Sequence, residues 1–313
     1  MRTAFIETLN ELADSDPRVC LIVGDLGYSV IEEFATRHPK QFVNAGVAEQ
    51  NMIGLAVGMA LSGKVVFTYS IGNFGTLRCL EQIRNDVCYH RANVKVVAVG
   101  GGLAYGNLGV THHASEDVAI MRALPNMTVV APGDPMEARL ATRAVVALDG
   151  PAYLRLGKAG EPKVHVDEPA FALGRAITMR DGSDLTLIAS GGMLATADSV
   201  AAQLAGKGLS VRLLSMHTVK PLDREAVVHA ATETGFVFTL EEHSVEGGLG
   251  GAVAEVMSEL HGARASLKRI GLPPQFNKVV GDQKYLKSLH GLDEEGVMKT
   301  IQPIIARSYG LVS

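Results

Sequence analysis

Cysteine is scarce in this sequence of 313 residues, and its placement excludes several classes of protein. The cysteines are Cys20, Cys79 and Cys88, so any disulfide scheme leaves at least one of them unpaired. None of them lies in a C-x-x-C pair, which argues against a zinc clip and against the disulfide framework of a secreted protein. A reducing, cytoplasmic location is therefore expected.

Long apolar runs and a strong net charge are also lacking. No stretch of about 18 apolar residues occurs, and the opening stretch MRTAFIETLNELAD has acidic residues where a signal peptide would need an apolar core. The net charge is −4, with 20% charged residues, which gives no sign of a polyanion partner. We expect neither export, nor membrane insertion, nor binding to nucleic acid.

What the sequence does contain is two series of alternating strands and helices. Runs rich in Val, Ile and Leu predict buried strands within 19–25, 64–70, 93–102, 127–134 and 151–156, with helical spacing between them. A polar segment follows, and then a second, smaller series with strands in DLTLIASGG, SVRLLSMHT and GFVFTLEEH. The alternation predicts an α/β fold with two parallel-sheet domains, a first domain over 1–160, a linker over 161–180 and a second domain over 181–313.

Glu49 begins an apolar helix in the segment VNAGVAEQNMIGLAVGMA. One interpretation is an ordinary carboxylate in the first turn, where it suits the helix dipole. The other starts from Gly46, Gly54 and Gly58, which would let a flat group approach the backbone closely. Because glycine weakens a helix, their repetition favours a functional reason.

Two further candidates follow predicted strands. Phe74, in TYSIGNFGTL, stands at a strand end where ligands bind in parallel sheets, although a core aromatic would also fit there. His112 and His113 end the glycine-rich loop GGGLAYGNLGVTHH, and a histidine there can exchange protons near neutral pH. A dinucleotide site is not favoured, because the G-x-G-x-x-G spacing lacks its distal acidic partner.

Charged and polar residues stand at two other strand ends. Asp25 and Ser29 follow the first strand, where Asp25 could equally cap the next helix. Arg155 and Lys158 end the last strand of the first domain, where they would either hold a phosphate or carboxylate or simply face solvent.

Taken in order, these motifs resemble the C-terminal half of transketolases. The resemblance covers nearly the whole chain and is most specific from Gly46 to Asp134, which is similar to the family's pyrimidine-binding domain. The chain is more loosely similar to the last two domains of deoxyxylulose-phosphate synthase and to the beta subunits of 2-oxo-acid dehydrogenases. The segments that carry the resemblance are GVAEQNMIGLAVGMA, NFGTLRCLEQIRN, GVTHHASEDVAIMRALPNMTVVAPGD, PAYLRLGK and LEEHSVEGGLGG.

The resemblance implies a thiamine diphosphate cofactor whose aminopyrimidine ring is hydrogen-bonded by Glu49. That contact would favour the imino form of the ring, which activates the thiazolium carbon as a nucleophile. Phe74 would stack on the pyrimidine, and His112 would act on the substrate side as an acid or base. The other residues implied are Ile71, Asp25 and Arg78 beside the cofactor, and Arg2, Ser29, Arg155 and Lys158 beside the substrate.

Two positions depart from the family pattern. Transketolases carry a histidine and an aspartate that read the hydroxyls of the donor, and these places are Gly100 and Leu108 here. Loss of both polar contacts predicts an emptier pocket that grips a standard ketose phosphate less well. A ketose with altered functionality, a modified sugar or a small 2-oxo acid would each be compatible with it.

The family's diphosphate and metal motif, G-D-G followed by N-N, is missing. GDL at 24–26 and DGSD at 181–184 are its nearest approximations, and neither is followed by paired asparagines. Because Mg²⁺ or Ca²⁺ needs several oxygen ligands, we predict that a partner subunit holds the metal and the diphosphate. Two copies of each subunit would give an α2β2 assembly containing a homodimer of this chain.

The activity expected from the resemblance is transfer of a two-carbon ketol unit from a ketose or ketose phosphate to an aldose, with the partner present. One alternative is decarboxylation of a 2-oxo acid with acyl or acyloin transfer. A third interpretation is a non-enzymatic cofactor-binding or scaffold module, and the presence of Glu49 and Phe74 argues against it.

Overall fold

The computed structural model describes residues 1–262 and 265–309, which form two mostly parallel sheets covered by helices. The predicted α/β class with two sheets is confirmed. Within these described ranges, no helix is both long and apolar enough to cross a membrane.

The regular elements alternate along the chain as strand and helix. The strands are β1 Val19–Val23, β2 Phe42–Asn44, β3 Val65–Ile71, β4 Val94–Val99, β5 Thr128–Val130, β6 Ala152–Leu156, β7 Ile177–Arg180, β8 Leu185–Ala189, β9 Val211–Ser215, β10 Thr218–Lys220, β11 Phe236–Ser244 and β12 Ser266–Leu272. The α-helices are α1 Arg2–Ser15, α2 Glu32–Arg37, α3 Glu49–Leu61, α4 Gly72–Gly75, α5 Leu80–Gln82, α6 Asp117–Ala123, α7 Pro135–Ala147, α8 Leu194–Ala205, α9 Arg224–Glu233, α10 Leu249–Ser258, α11 Gln283–Leu289 and α12 Glu294–Tyr309. A π-helical segment, Ile83–Cys88, follows α5, and short 3-10 turns lie at Leu77–Cys79, Gly106–Leu108, Val110–His112 and Gly191–Met193.

The first sheet has the strand order β10-β5-β6-β4-β3-β1-β2. Its inner strands are buried along almost their whole length because helices cover both faces. In β1, for example, Leu21 packs in a cluster with Phe5 and Leu9 of α1, whereas its neighbour Ile22 packs with Met52 of α3. The sheet is therefore a buried platform that fixes the loops at its edges.

One strand of this sheet comes from the second half of the chain. β10 pairs antiparallel with β5, opposite Val130, although the sequence predicted two separate series. The second sheet has the order β12-β11-β8-β9-β7, and its edge strand β7 is antiparallel to β9. β7 lies inside the segment 161–180 that we predicted as linker. The segment predicted as the second domain, 181–313, includes residues 263–264 and 310–313, which lie outside the described residues.

The parallel strands β1, β3, β4 and β6 end at the same edge of the first sheet. The loops that leave this edge carry Asp25, Phe74, His112 and Lys158. Ligands bind at this edge in open parallel sheets, so the topology alone brings the candidate residues of distant segments together.

Candidate active site at the carboxyl edge of the first sheet

Glu49 is the first residue of α3 and is almost fully buried, with 3% of its surface exposed. Its carboxylate accepts a hydrogen bond from Nη1 of Arg78 at 2.8 Å. The backbone of Gly24, just after β1, lies close to the Glu49 side chain. A Cβ at Gly24 would lie 3.5 Å from Cγ of Glu49. Glu49 is therefore not a solvated acid of a helix N-terminus, and its burial needs a specific polar partner.

Gly54 and Gly58 are both exposed on the outer side of α3, and a Cβ at either position would meet no atom of the described chain within 4 Å. Among the described residues, no close contact requires glycine at these two positions. A flat group packed against Gly54 and Gly58, as the sequence analysis suggested, would therefore have to belong to another molecule.

Phe74 lies in α4, directly after β3, and is only half-buried. The guanidinium of Arg78 is 4.8 Å from the centre of its ring, and the ring of His112 meets it edge-on, with centroids 5.0 Å apart. The core interpretation of Phe74 is therefore wrong, because a cation and a histidine contact its ring at the sheet edge. Glu49, Arg78, Phe74 and His112 form one continuous row of side chains.

His112 and His113 have different environments although they are adjacent. His112 is half-buried, its Nδ1 lies 2.9 Å from Oγ1 of Thr111, and burial, with a smaller contribution from His113, lowers its pKa. The neutral form of its imidazole is therefore favoured at pH 7, and a neutral imidazole can exchange a proton there. His113 is buried, and its backbone carbonyl accepts a hydrogen bond from Asn73, so it supports the loop.

Tyr105, which the sequence analysis missed, lies next to two predicted site residues. The ring is half-buried, with Nζ of Lys158 5.0 Å from its centre and the His112 ring 6.3 Å away. Gly100 has φ +84°, and a Cβ there would lie 2.2 Å from two ring carbons of Tyr105. The expectation of an emptier pocket beside Gly100 is therefore wrong, because the Tyr105 ring fills that space.

Arg2 and Tyr69 form a second polar cluster on the same edge. The hydroxyl of Tyr69 is buried without a hydrogen-bond partner among residues 1–262 and 265–309. Burial raises the pKa of both Tyr69 and Tyr105, and the nearby Arg2 guanidinium opposes the rise in each pKa. Ile71 is the last residue of β3 and is half-buried. In the sequence it stands between Tyr69 and Phe74.

Asp25 and Ser29 are exposed, and both have left-handed backbone conformations, with φ of +53° and +63°. The Asp25 carboxylate accepts a hydrogen bond from Nδ2 of Asn44 at 3.0 Å, which ties the loop after β1 to the end of β2. Asp25 does not cap α2, which begins only at Glu32. Strained residues of this kind are held by their surroundings and are concentrated at functional sites.

Arg155 requires a correction, because its contacts are those of a structural residue. The side chain is 7% exposed, its Nε donates to Asp117 at 2.8 Å, and Nη2 donates to the carbonyls of Ala114 and Glu242 at 2.8 and 3.0 Å. Asp117 is fully buried, and although burial raises its pKa, Arg155 holds that pKa below the usual range. Arg155 therefore joins the first domain to the second, and its Nε and Nη2 are engaged within the chain.

The remaining cluster fits an aromatic ring that carries a basic nitrogen. Glu49 supplies a buried carboxylate, Phe74 a half-buried ring and His112 an imidazole in edge-on contact with that ring. Within the part of the chain that the structure describes, no group of three or more His, Cys, Asp or Glu residues could hold a metal ion.

Two family models match this chain. The model for "Transketolase, pyrimidine binding domain" matches residues 1–161, and that for "Transketolase, C-terminal domain" matches residues 174–297. The chain is 41% identical over 301 residues to one of the subunits of the apulose-4-phosphate transketolase of Phocaeicola vulgatus, covering 96% of this chain and 95% of that protein. It is 38% identical over 308 residues to a 6-deoxy-6-sulfo-D-fructose transketolase subunit of a Clostridium species, covering 98% of this chain and 95% of that protein.

A solved structure described as "Split gene transketolase, inactive beta4 tetramer" is also similar. It has a TM-score of 0.87 and 37% sequence identity, with 96% of each chain covered. 1-Deoxy-D-xylulose-5-phosphate synthases match at lower identity and over about half of their own length.

Proposed function

This chain belongs to the transketolase family, and we propose that it is the pyrimidine-binding subunit of a split transketolase that moves a two-carbon ketol unit from a ketose to an aldose. The observation that carries the proposal is the buried carboxylate of Glu49, in a row with Arg78, Phe74 and His112. The family consists of thiamine-diphosphate-dependent transferases. When bound, thiamine diphosphate supplies a carbon nucleophile that can attack a ketose carbonyl.

On the cofactor side, Glu49 would accept a hydrogen bond from, or share a proton with, a nitrogen of the aminopyrimidine ring. Its burial makes the contact strong, because a carboxylate poorly reached by water depends on the few partners it has. Phe74 would provide the stacking face, and Arg78, which pairs with Glu49, would hold the carboxylate in place. Ile71 and Asp25 would border the ring, at the ends of β3 and β1.

On the substrate side, His112 would hold or take up the proton of a substrate hydroxyl at Nε2, because Nδ1 already faces Thr111. Arg2 and Lys158 would attract the negative end of a sugar phosphate, with Ser29 at the rim of the same loop cluster. Arg155 is left out of this set because its guanidinium is engaged with Asp117 and two backbone carbonyls.

A diphosphate and its metal ion, Mg²⁺ or Ca²⁺, would be held by a separate subunit. Supporting this, the similar curated proteins are named as subunits of transketolases. The solved relative contains only beta chains and is described as inactive. We therefore propose an α2β2 enzyme of cytoplasmic carbohydrate metabolism in which this chain alone has no activity.

Decarboxylation of a 2-oxo acid is the alternative chemistry on the same cofactor. The relatives that match along nearly their whole length are transketolase subunits, whereas the synthases match at lower identity. Among the residues that the structure describes, no contact in the site favours a 2-oxo acid over a ketose, so ketol transfer is the function proposed.

The test is reconstitution with a partner chain that carries the diphosphate and metal motif, for which the adjacent open reading frame is the first candidate. Glu49→Gln should fold and assemble, as judged by circular dichroism and gel filtration, yet lower the turnover of ketol transfer by about 100-fold or more. Glu33→Gln, on the exposed side of α2, is the matched control and should leave turnover unchanged. Wild-type turnover in Glu49→Gln would refute the proposal.

A further inference from the structure

We propose that Asn73 is a positioning residue for His112, whose side-chain amide holds the turn that presents the imidazole to the substrate. Asn73 lies in α4, one residue before Phe74, and is not among the site residues that the sequence predicted. The inference rests on the proposed ketol transfer, in which His112 exchanges a proton with the substrate. It adds the residue that fixes where this exchange takes place.

The turn that carries His112 belongs to a closed loop. Gly102 and Ala114 form an antiparallel bridge with two backbone hydrogen bonds of 2.9 Å, so residues 103–113 leave and return at one point. Within the loop, the backbone N–H of His112 donates to the carbonyl of Gly109, three residues earlier, at 3.0 Å. A bond between such near neighbours shapes the turn but does not tie it to the sheet.

The first residue of α4 brings Asn73 within reach of this loop. Gly72 has no side chain, and a Cβ there would lie 2.6 Å from Cβ of Ala114, so α4 and the base of the loop are in direct contact. The hydroxyl of Thr76 donates to the carbonyl of Gly72 at 2.6 Å and closes the short helix. Asn73 is therefore attached to the end of β3 by a firm element.

The amide of Asn73 faces three backbone carbonyls of the turn. Its Nδ2 donates to the carbonyl of His113 and lies 3.4 and 3.5 Å from the carbonyl oxygens of Thr111 and Val110. Only the NH₂ side of the amide can face three acceptors, because Oδ1 is itself an acceptor. One side chain thus holds the residues on both sides of His112.

Oδ1 of Asn73 is buried and has no hydrogen-bond partner in residues 1–262 and 265–309. An unpaired buried acceptor is unfavourable, so the contacts of the NH₂ group are what keep the amide in this place. Leucine has a similar shape without donors or acceptors. Asn73→Leu would remove the contacts to the turn and also the unpaired oxygen, which makes it a mild change for the fold.

The turn has little other cover at this point. Thr111 is exposed and His112 is half-buried, with the His112 ring edge-on to Phe74 and the centroids 5.0 Å apart. A displacement of a reacting group by about 1 Å can lower a rate by about 100-fold. Release of the turn from Asn73 would therefore act on turnover through the position of the imidazole.

The first test uses the reconstituted complex with saturating D-xylulose 5-phosphate as donor and D-ribose 5-phosphate as acceptor. Asn73→Leu should lower kcat by about 10- to 100-fold and leave the dissociation constant for thiamine diphosphate within about twofold of wild type. In a His112→Ala background the same change should alter kcat by less than about twofold, because the group that Asn73 positions is gone. Equal losses in both backgrounds would overturn the inference.

Gln41 supplies a matched control at the opposite edge of the sheet. Its Nε2 also donates to three backbone carbonyls, those of Ala13, Asp16 and Val19, at 3.3, 3.2 and 2.8 Å. Val19 begins β1, whereas the site lies where the strands end. Gln41→Met should leave kcat within about twofold of wild type. A loss as large as that of Asn73→Leu would show that removing any such amide lowers turnover, and would overturn the inference.

The second test needs neither partner nor activity. Amide hydrogen exchange of the isolated chain, measured by mass spectrometry over peptides that cover 108–113, should be at least about tenfold faster in Asn73→Leu, because the turn opens more often. Gln41→Met should exchange in this segment as wild type does. Unchanged exchange in Asn73→Leu would refute the hold on the turn.

Asn73→Ala covers the case in which Asn73→Leu does not fold, and the same changes in exchange and kcat are expected of it. Failure of the two claims is distinguishable. Absence of ketol transfer by the wild-type complex with every donor would refute the proposed function, and the exchange measurement would still decide whether Asn73 holds the turn. Normal transfer by a complex that lacks the Asn73 amide would refute only this inference.

Discussion

Arg78 donates a hydrogen bond to the buried carboxylate of Glu49 across 2.8 Å, while its own side chain stays 48% exposed and covers part of the Phe74 ring. One flexible cation thus satisfies a buried charge and contacts the aromatic residue beside it. Arg78 stands next to both groups expected to meet the cofactor, and it can move toward solvent without unfolding any element. Its guanidinium is therefore the part of the site best placed to rearrange when a ligand ring arrives.

Arg78→Ala should destabilise the isolated chain by about 1 to 3 kcal/mol, because it leaves a buried carboxylate without its partner. Arg78→Lys keeps a cation beside Glu49 and should therefore reduce the free energy of unfolding by less than Arg78→Ala. Urea unfolding at neutral pH measures both. The double variant with Glu49→Gln should recover part of the loss, and full additivity of the two changes would contradict the pairing.

His112→Ala should lower turnover of the assembled enzyme by about 10²- to 10⁴-fold, because a neutral imidazole near the substrate is lost. The dissociation constant for thiamine diphosphate, measured by calorimetry, should stay unchanged. His113→Ala is the contrasting variant: it removes a buried loop residue and should lower the melting temperature. A weaker cofactor constant with normal turnover in His112→Ala would place the residue on the cofactor instead.

Gly100→Ala should destabilise the chain by about 2 to 4 kcal/mol, the sum of a left-handed backbone for alanine and a collision with Tyr105. Gly208→Ala is the matched control, since Gly208 has φ +88° with open space around it. This variant should lose only the stability that the left-handed backbone of alanine costs, without a collision. Thermal or urea unfolding compares the two. Equal losses would show that the Tyr105 ring does not press on Gly100.

Asp117→Ala should reduce the free energy of unfolding by about 3 to 5 kcal/mol, because Arg155 would remain buried and unpaired between the two domains. Tyr153→Phe, which removes only the hydroxyl that donates to Asp117, is the milder comparison at about 1 to 3 kcal/mol. Replacing Asp117 and Arg155 together by apolar residues should restore much of the stability. A loss from Asp117→Ala no larger than that from Tyr153→Phe would be the contrary result.

Lys95 provides a pH test. Its ammonium group is fully buried, donates to the carbonyls of Leu148 and Gly150 at the end of α7, and burial lowers its pKa to about 7. Between about pH 7 and 10.5 the unfolded chain therefore binds more protons than the native chain, so the free energy of unfolding rises with pH in this window.

Lys95→Met should remove this rise, which amounts to at most about 1.4 kcal/mol per pH unit. Urea unfolding of the isolated chain between pH 7 and 10 measures it as the difference between wild type and variant. Lys207→Met, at an exposed position, should keep the wild-type slope. A Lys95→Met curve parallel to wild type would show that Lys95 is charged in the native chain.

The sequence alone determined the α/β class, the strands of both sheets that are apolar throughout, and the segments whose ends meet at one edge. These follow from local patterns, since a strand covered on both faces is predominantly apolar, as in VCLIV of β1. The resemblance also gave Glu49 and Phe74 the cofactor-binding roles proposed for them. Roles of this kind depend on short motifs that keep their spacing along the chain.

Only the tertiary structure decided what Arg155, Tyr105 and β10 do. Arg155 and Lys158 are three residues apart, yet one is buried against Asp117 and the other faces solvent, and a sequence does not state which side of a strand end is covered. The fit of Tyr105 onto Gly100 and the pairing of β10 with β5 both depend on long-range packing. Contacts of this kind depend on the path of the whole backbone, so a local pattern carries no signal of them.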